Sequence, residues 1–265
     1  MRFGPAGYPQ GSKSPKEGLD ATKALGLDAL EVEFVRGARI SPDKAAEVGR
    51  MARERDIRLS CHAPYFISFN SDSAETREKS VSWVMDTVRA AHGMGAYLIV
   101  IHAASYGKTP EKATDSVIDG LLKCREIMDD EKIGDVILGI ETMGKKGQWG
   151  TLREIEKVME SVPSAHPILD VAHVHARGGG WLKSEKDMKE LTDDFFSLSE
   201  DIAHFHISCI NYGDKGEISH LPLEAKDPDL QLLANVLRDT EKDCNFICES
   251  PLQEKDAVVF KNMFR

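Results

Sequence analysis

The feature that most constrains this chain is one alternation that runs along its whole length. A short apolar or β-branched run is followed by a loop with Gly, Pro or Ser, and then by a helical hydrophobic pattern. This unit occurs eight times in 265 residues, which is the count expected of a (β/α)8 TIM barrel. We therefore predict an α/β fold with a single barrel domain over residues 1–265. A doubly wound sheet is the alternative, because periodicity alone does not show closure.

The predicted elements follow directly from this alternation. The strands are residues 2–4, 29–34, 57–62, 97–102, 136–141, 167–170, 202–207 and 246–249. The helices are residues 15–25, 42–55, 74–94, 110–128, 152–161, 185–198, 229–239 and 254–263. Several of them begin with proline or with an acidic first turn, as helix N-termini do.

Residues of the types that can bind metal ions stand at the carboxyl ends of six predicted strands. Because side chains alternate along a strand, each is the last of the set that faces one side. The carboxyl ends of barrel strands form the rim that carries the chemistry. The residues are His62 in LSCHAP, His102 in VIHAAS, Glu141 in GIETMG, Asp170 and His173 in ILDVAH, His206 in HFHIS and Glu249 in ICESP, joined by His220 and Glu217 in GEISHLPL.

This mixture of imidazoles and carboxylates suits zinc or a similar first-row divalent ion, with Mn²⁺ as the alternative. The set is too large for one tetrahedral ion, so it predicts two or three ions bridged by a carboxylate, as in sites that hydrolyse phosphoesters. His204 shares a face with His206 but lies two residues deeper, and we expect it to be structural.

The composition limits the partners of the chain. Its formal charge of −10 argues against a general nucleic-acid coating protein. Basic residues nevertheless follow the predicted strands, where they would face phosphates at the rim. They are Arg36, Arg39, Lys108, Lys145, Lys146, Arg177 and Lys215. The five cysteines lack zinc-ribbon spacing and read as structural thiols. Without an apolar span or signal segment, we expect a cytoplasmic protein that does not bind membranes.

These segments, in their order and spacing, resemble the endonuclease IV family of zinc-dependent AP endonucleases on the xylose-isomerase-like barrel. The resemblance implies that His62 and His102 bind one ion and that Glu141 bridges to a second. It also implies that the second ion is completed by Asp170, His206 and Glu249, and that a third is held by His173 and His220, with Glu217 as the nearest carboxylate. Tyr65 and Phe66 match the family's wedge, which enters DNA at the lesion.

The function that this resemblance implies is base-excision repair of double-stranded DNA. The enzyme would hydrolyse the phosphodiester 5′ to an abasic site, with a water of lowered pKa between two metal ions attacking the phosphorus in line. Glu141 would hold that bridge and Glu249 would help to orient the nucleophile. We expect a monomer, because the wedge needs a free rim.

The chain departs from the family pattern in three segments. Asp-Val-Ala-His replaces Asp-Thr-Cys-His, His206 is followed by Ile-Ser-Cys rather than by x-Asn-Asp, and Ile218 takes the position of the third-site Asp. Two alternatives therefore stay open. One is a sugar isomerase or epimerase that uses one ion held by Glu141, Asp170, His206 and Glu249. The other is a noncatalytic barrel that binds lesions through the same rim.

Overall fold

The computed structural model describes residues 1–199 and 202–265, and its central element is an eight-stranded parallel sheet. The strands are β1 (Arg2–Pro5), β2 (Ala29–Glu33), β3 (Arg58–His62), β4 (Leu98–Ile101), β5 (Ile137–Glu141), β6 (Ala165–Asp170), β7 (Ile202–Ile207) and β8 (Asp243–Cys248). They lie in the order β1-β8-β7-β6-β5-β4-β3-β2. Neighbours in the sheet are therefore neighbours in the chain, as in a (β/α)8 barrel.

The two strands at the ends of this order also meet. An isolated parallel bridge joins Ala6 to Glu31, and the backbone N–H of Gly7 donates to the Glu31 carbonyl at 2.9 Å. Gly4 permits the close approach, because a Cβ there would stand 1.8 Å from the carbonyl oxygen of Ala29. The barrel predicted from the alternation is thus confirmed, and the doubly wound alternative is set aside.

Helices follow the strands along the chain. They are α1 (Pro15–Ala24), α2 (Pro42–Glu54), α3 (Ala74–Met94), α4 (Ala113–Asp130), α5 (Leu152–Ser161), α6 (Val171–Arg177), α7 (Glu185–Leu198), α8 (Leu230–Leu237) and α9 (Glu254–Asn262). Ser14 and Ser41 cap α1 and α2 through their hydroxyls, and a proline stands at the first helical position of each. Helix α3 ends at Gly95, whose left-handed φ of 66° suits a residue without a side chain.

The predicted elements agree with the observed ones to within three residues at each end. Among the described elements that were not predicted, a helix and a hairpin stand out, beside the short strand pair Ala104–Ser105 with Gln148–Trp149. Helix α6 begins directly at the end of β6, where the sequence suggested only a loop. A hairpin, formed by Cys209–Gly213 and Gly216–Leu221, follows β7. Both additions come after the carboxyl end of a strand, and both carry candidate ligands.

The described residues divide into two compact units. The first unit consists of Met1–Glu31, Thr142–Lys146 and Ile168–Arg265, and the second of Val32–Glu141 and Gly147–Pro167. Aromatic packing of Phe3, Phe205, Phe246 and Phe260 fills the core of the first unit. In the second unit Trp149 is fully buried, and its Nε1 donates to Thr114 Oγ1 at 3.0 Å. That the whole chain forms one domain stays a prediction.

The cysteines are buried free thiols, as the sequence suggested. Burial raises the pKa of Cys124 to about 12 and that of Cys209 to about 11, so these thiols are held in their protonated, unreactive form. Among the described helices, none combines the length and the apolar character that a membrane crossing requires.

Candidate metal centre

In the second unit, three of the predicted ligands lie together. His62 ends β3, His102 follows β4 and Glu141 ends β5. Their ligand atoms lie within 4.8 Å of one another. Oε2 of Glu141 is 3.4 Å from Nε2 of His62 and 2.6 Å from Nε2 of His102. The side chain of Glu141 is fully buried, so its charge depends on these partners.

The imidazole of His62 is oriented by a backbone contact. Its Nδ1 lies 2.7 Å from the carbonyl oxygen of Ala63, to which it donates. In a neutral ring this places the lone pair on Nε2, the atom nearest Glu141. A backbone acceptor on the far nitrogen is the usual arrangement for a metal-binding histidine.

In the first unit, a second cluster forms around His173. The Nε2 atoms of His173 and His220 are 3.2 Å apart, and Oε2 of Glu217 is 3.4 Å from Nε2 of His173. Nδ1 of His173 donates to the carbonyl of Thr142 at 2.9 Å, which again leaves Nε2 as the acceptor atom. Asp170, His173 and His220 satisfy the spacing of a metal site.

Asp170 uses its two carboxylate oxygens differently. It is the N-cap of α6, and its Oδ1 accepts the backbone N–H of His173 at 2.7 Å. Its Oδ2 is buried and lies 3.5 Å from Nδ1 of His173, and it accepts no hydrogen bond from the described part of the chain. The backbone N–H of Asp170 donates to Thr142 Oγ1 at 3.0 Å, which fixes the residue at the end of β6. One oxygen thus remains for a cation.

The unpredicted hairpin brings His220 and Glu217 to His173. Nδ1 of His220 lies 3.1 Å from Ser208 Oγ, which orients the ring. Gly144 makes room for the cluster, since a Cβ there would stand 2.8 Å from Cβ of Glu217 and 2.9 Å from Cδ2 of His173. Glu217, rather than a residue at the position of Ile218, therefore supplies the carboxylate near these histidines.

His206 joins a third group, which includes two residues that the sequence did not suggest as site residues. Its Nδ1 lies 3.2 Å from Oε1 of Glu249, and its Nε2 lies 3.0 Å from Oε1 of Glu31. His204 Nε2 is 3.3 Å from Oε2 of the same Glu31. Burial alone would raise the pKa of Glu31, but His206 and His204 hold it well below its ordinary value. The signal for Glu31 in the sequence was a charged residue inside a mainly apolar predicted strand.

The donor sets fit a divalent ion of the zinc type. Two ligand atoms bound to one tetrahedral ion at about 2.0–2.1 Å stand about 3.3 Å apart. The distances from His62 to Glu141, from His173 to His220 and from His206 to Glu249 are 3.4, 3.2 and 3.2 Å, whereas His102 and Glu141 stand at a hydrogen-bond distance of 2.6 Å. Imidazole and carboxylate donors at this spacing can hold a metal ion.

His175, in α6, does not belong to these groups. It is fully buried, its Nδ1 accepts the backbone N–H of Leu182 at 3.1 Å, and its Nε2 lies 2.9 Å from Oδ1 of Asp227. Burial lowers its pKa despite the opposing effect of Asp227. Both ring nitrogens are therefore engaged in anchoring α6.

Four of the predicted basic residues come together in the first unit. Lys145 pairs with Gly216 in an antiparallel bridge, and the backbone N–H of Lys146 donates to the Lys215 carbonyl at 3.0 Å. Nη1 of Arg177 donates to the Lys145 carbonyl at 2.6 Å. The three lysine side chains are exposed, while Arg177 is partly buried against this loop.

The remaining predicted DNA contacts lie in the second unit. Arg36 and Arg39 are exposed in the loop after β2, and Lys108 is exposed with its Nζ 3.5 Å from Oδ2 of Asp72. Tyr65 and Phe66 are 48% and 45% exposed, which is high for large apolar residues.

These two aromatic rings differ in their contacts. The Tyr65 ring lies 4.8 Å from that of His62 and 5.1 Å from that of His102, measured between centroids. The Phe66 ring packs edge-on against Trp83 at 4.3 Å. Tyr65 thus borders the His62 cluster directly, while Phe66 is supported by α3.

Comparison with known families gives one match that covers most of the chain. The sequence profile described as "Xylose isomerase-like TIM barrel" matches residues 19–261. The chain belongs to the xylose isomerase-like TIM barrel family. It is also 30% identical to an uncharacterized protein of Methanocaldococcus jannaschii, over 99% of this chain and 96% of that relative.

Other similar proteins carry different functional descriptions. A probable endonuclease 4 of Methanosphaera stadtmanae is 25% identical, and the match covers 72% of each chain. The crystal structure of endonuclease IV from Thermus thermophilus has a TM-score of 0.78 at 22% identity, covering 100% of this chain and 98% of that one. A D-tagatose 3-epimerase-like protein has a TM-score of 0.76 at 18% identity, covering 99% and 95%. Structural similarity at 18–22% identity shows that these chains share a fold.

Proposed function

We propose that this chain is a metal-dependent AP endonuclease that hydrolyses the phosphodiester 5′ to an abasic site in double-stranded DNA. The observation that carries the proposal is the pair of histidine clusters around Glu141 and His173. A one-ion isomerase would need neither His62 with His102 nor His173 with His220. Within each cluster, the distances between ligand atoms suit residues that bind the same ion, which supports a centre of two or three ions.

The residues of the centre have separate tasks in this proposal. His62, His102 and Glu141 hold one ion, and His173, His220 and Glu217 hold another. Asp170, His206 and Glu249 would hold a further ion. Divalent ions, when bound, lower the pKa of water and offset the charge that develops on phosphate oxygens. Glu249, only 13% exposed, orients the attacking water through its carboxylate.

Recognition of the lesion would fall to the exposed aromatic and basic side chains. Tyr65 stands beside the His62 cluster and would enter the duplex where a base is missing, since unstacking costs least there. Phe66, braced by Trp83, would keep that loop in place. Lys145, Lys146 and Lys215, gathered on one loop and hairpin, would contact phosphates.

The test is incision of a duplex oligonucleotide that carries one abasic analogue, with zinc or manganese and after chelation. We expect a single cut on the 5′ side that chelation abolishes and added metal restores. Glu141→Gln should lose at least 100-fold of the activity while keeping its fold, because it removes a charged ligand. Glu156→Gln, on the exposed face of α5, is the control and should cut like wild type.

The second candidate is a sugar isomerase or epimerase. It is favoured by the presence of Glu141, Asp170, His206 and Glu249, which would suffice for one ion and for proton transfer beside a carbonyl. Turnover of a ketose in the absence of any incision would contradict the nuclease and support this candidate. Binding of the abasic duplex with neither reaction would instead indicate a noncatalytic lesion-binding barrel.

A further inference from the structure

A buried triad lies behind the proposed ligand His206. It consists of Glu31 from β2 and of His204 and His206 from β7, and all three side chains are fully buried. We propose that Glu31 is a positioning residue that fixes the ring orientation and tautomer of His206, so that Nδ1 of this histidine faces the metal. The inference rests on the proposed metal centre, in which His206 and Glu249 are ligands.

The two ring nitrogens of His206 lie near two different carboxylates. Nε2 lies 3.0 Å from Oε1 of Glu31, a hydrogen-bond distance. Nδ1 lies 3.2 Å from Oε1 of Glu249, which is close to the separation of two ligands on one tetrahedral ion. A neutral imidazole carries one N–H, and the buried carboxylate behind it is the group that most needs that donor. The proton therefore belongs on Nε2 and the lone pair on Nδ1.

His204 contacts the second carboxylate oxygen of Glu31. Its Nε2 lies 3.3 Å from Oε2 of Glu31, and Nδ2 of Asn245 donates to its Nδ1 at 3.4 Å. With Nδ1 as acceptor, the proton of a neutral His204 stands on Nε2 and points at Glu31. Each carboxylate oxygen of Glu31 then lies near the Nε2 of one imidazole, at 3.0 Å for His206 and 3.3 Å for His204.

The backbone of Glu31 makes this support rigid. Its carbonyl accepts the N–H of Gly7 at 2.9 Å, and the residue pairs with Ala6 where β1 meets β2. The backbone position from which the Glu31 side chain reaches His206 is therefore fixed where the barrel closes. Such outer partners commonly set the affinity of a metal site, and their removal typically weakens binding by about 10–100-fold.

The first experiment reads the tautomer without any metal. In ¹⁵N-histidine-labelled, metal-free wild-type protein, long-range ¹H–¹⁵N spectra distinguish Nε2–H from Nδ1–H rings. The His206 signals are assigned by their absence in His206→Gln. We expect the neutral Nε2–H form for His206. An Nδ1–H ring would overturn the proposal, whatever the activity of the protein.

The second experiment measures zinc binding to the metal-free protein by calorimetry. Glu31→Gln should weaken one class of zinc site by about 10–100-fold and leave the other sites unchanged. The matched control is Glu254→Gln, a buried carboxylate of the same unit whose Oε2 accepts the backbone N–H of Gln10. It should bind zinc like wild type.

The outcomes separate the two proposals. Equal zinc affinities in Glu31→Gln and wild type would overturn the positioning role and leave the proposed function intact. Absence of zinc binding by the wild-type protein would contradict the proposed function and this inference together.

Discussion

Gly144 shows how a single residue determines what the site can contain. The atoms nearest to a hypothetical Cβ belong to Glu217 and His173, two of the candidate ligands, at 2.8 and 2.9 Å. Separations below about 3 Å force one of the neighbours to move. The absence of a side chain at Gly144 is therefore a condition for Glu217 to reach His173.

We predict that Gly144→Ala damages this cluster specifically. The added methyl should lower the free energy of unfolding by about 1–3 kcal/mol and displace Glu217, so that zinc binding at His173 weakens at least tenfold. Gly147→Ala is the control, because a Cβ there meets nothing within 4 Å. Urea unfolding and zinc titration of both variants check this. Equal zinc binding by Gly144→Ala and wild type would argue against Glu217 as a ligand.

At the scale of residues, the sequence predicted the ligands at strand ends better than the groups behind them. His62, His102 and Glu141 cluster as the alternation of side chains suggested, because the end of a strand is a fixed position in a barrel. Glu31 was not recognised, since its partners His204 and His206 are more than 170 residues away in the chain. Only the closed sheet reveals that pairing.

At the scale of elements, α5 illustrates how local sequence fixes a helix. Thr151 and Glu154 form a capping box: Thr151 Oγ1 accepts the backbone N–H of Glu154, and Oε2 of Glu154 accepts that of Thr151 at 2.9 Å. Tyr106 adds a hydroxyl donor to Oε1 at 2.8 Å. Burial alone would raise the pKa of Glu154, but these hydrogen bonds lower it below its ordinary value of 4.5.

We predict a pH-dependent stability difference between wild type and Glu154→Gln. Glutamine retains the geometry of the capping box but lacks the charge, so at pH 7 the variant should be less stable by about 0.5–1.5 kcal/mol. Because the pKa of Glu154 is lower in the folded state than in the unfolded state, its charge stabilises the fold at pH values above the unfolded pKa. This stabilisation is lost as the pH falls through the folded pKa. Urea unfolding should therefore show the difference shrinking below pH 4.5, the ordinary pKa. A difference independent of pH would contradict this explanation.

The elements that sequence analysis missed lack a clear apolar pattern or a separating loop. Helix α6 starts with no loop after β6, and its N-cap is Asp170, which the pattern marked only as a ligand. The hairpin, Cys209–Gly213 with Gly216–Leu221, buries Cys209 and Ile210, but most of its other residues are exposed or half-buried, so hydrophobic alternation gives only a weak signal. The eight barrel strands and the helices after them were predictable because apolar burial dictates their pattern.

At the scale of the whole molecule, charge is distributed unevenly. The chain carries a formal charge of −10, yet Lys145, Lys146 and Lys215 are exposed on one loop and the adjoining hairpin. In the proposed function, their position beside the His173 cluster would matter more for phosphate binding than the net charge does, because screening limits electrostatic effects to about 8–10 Å at physiological salt. Bound divalent ions would strengthen this local positive field.

The number of divalent ions per folded chain tests the central claim most directly. Metal-free protein is reconstituted with zinc, freed of excess metal and analysed by native mass spectrometry alongside elemental analysis. Our account predicts two or three zinc ions per chain, because imidazoles and carboxylates among the described residues stand at ligand spacing around both Glu141 and His173. A chain that retains one ion or none under these conditions would contradict it.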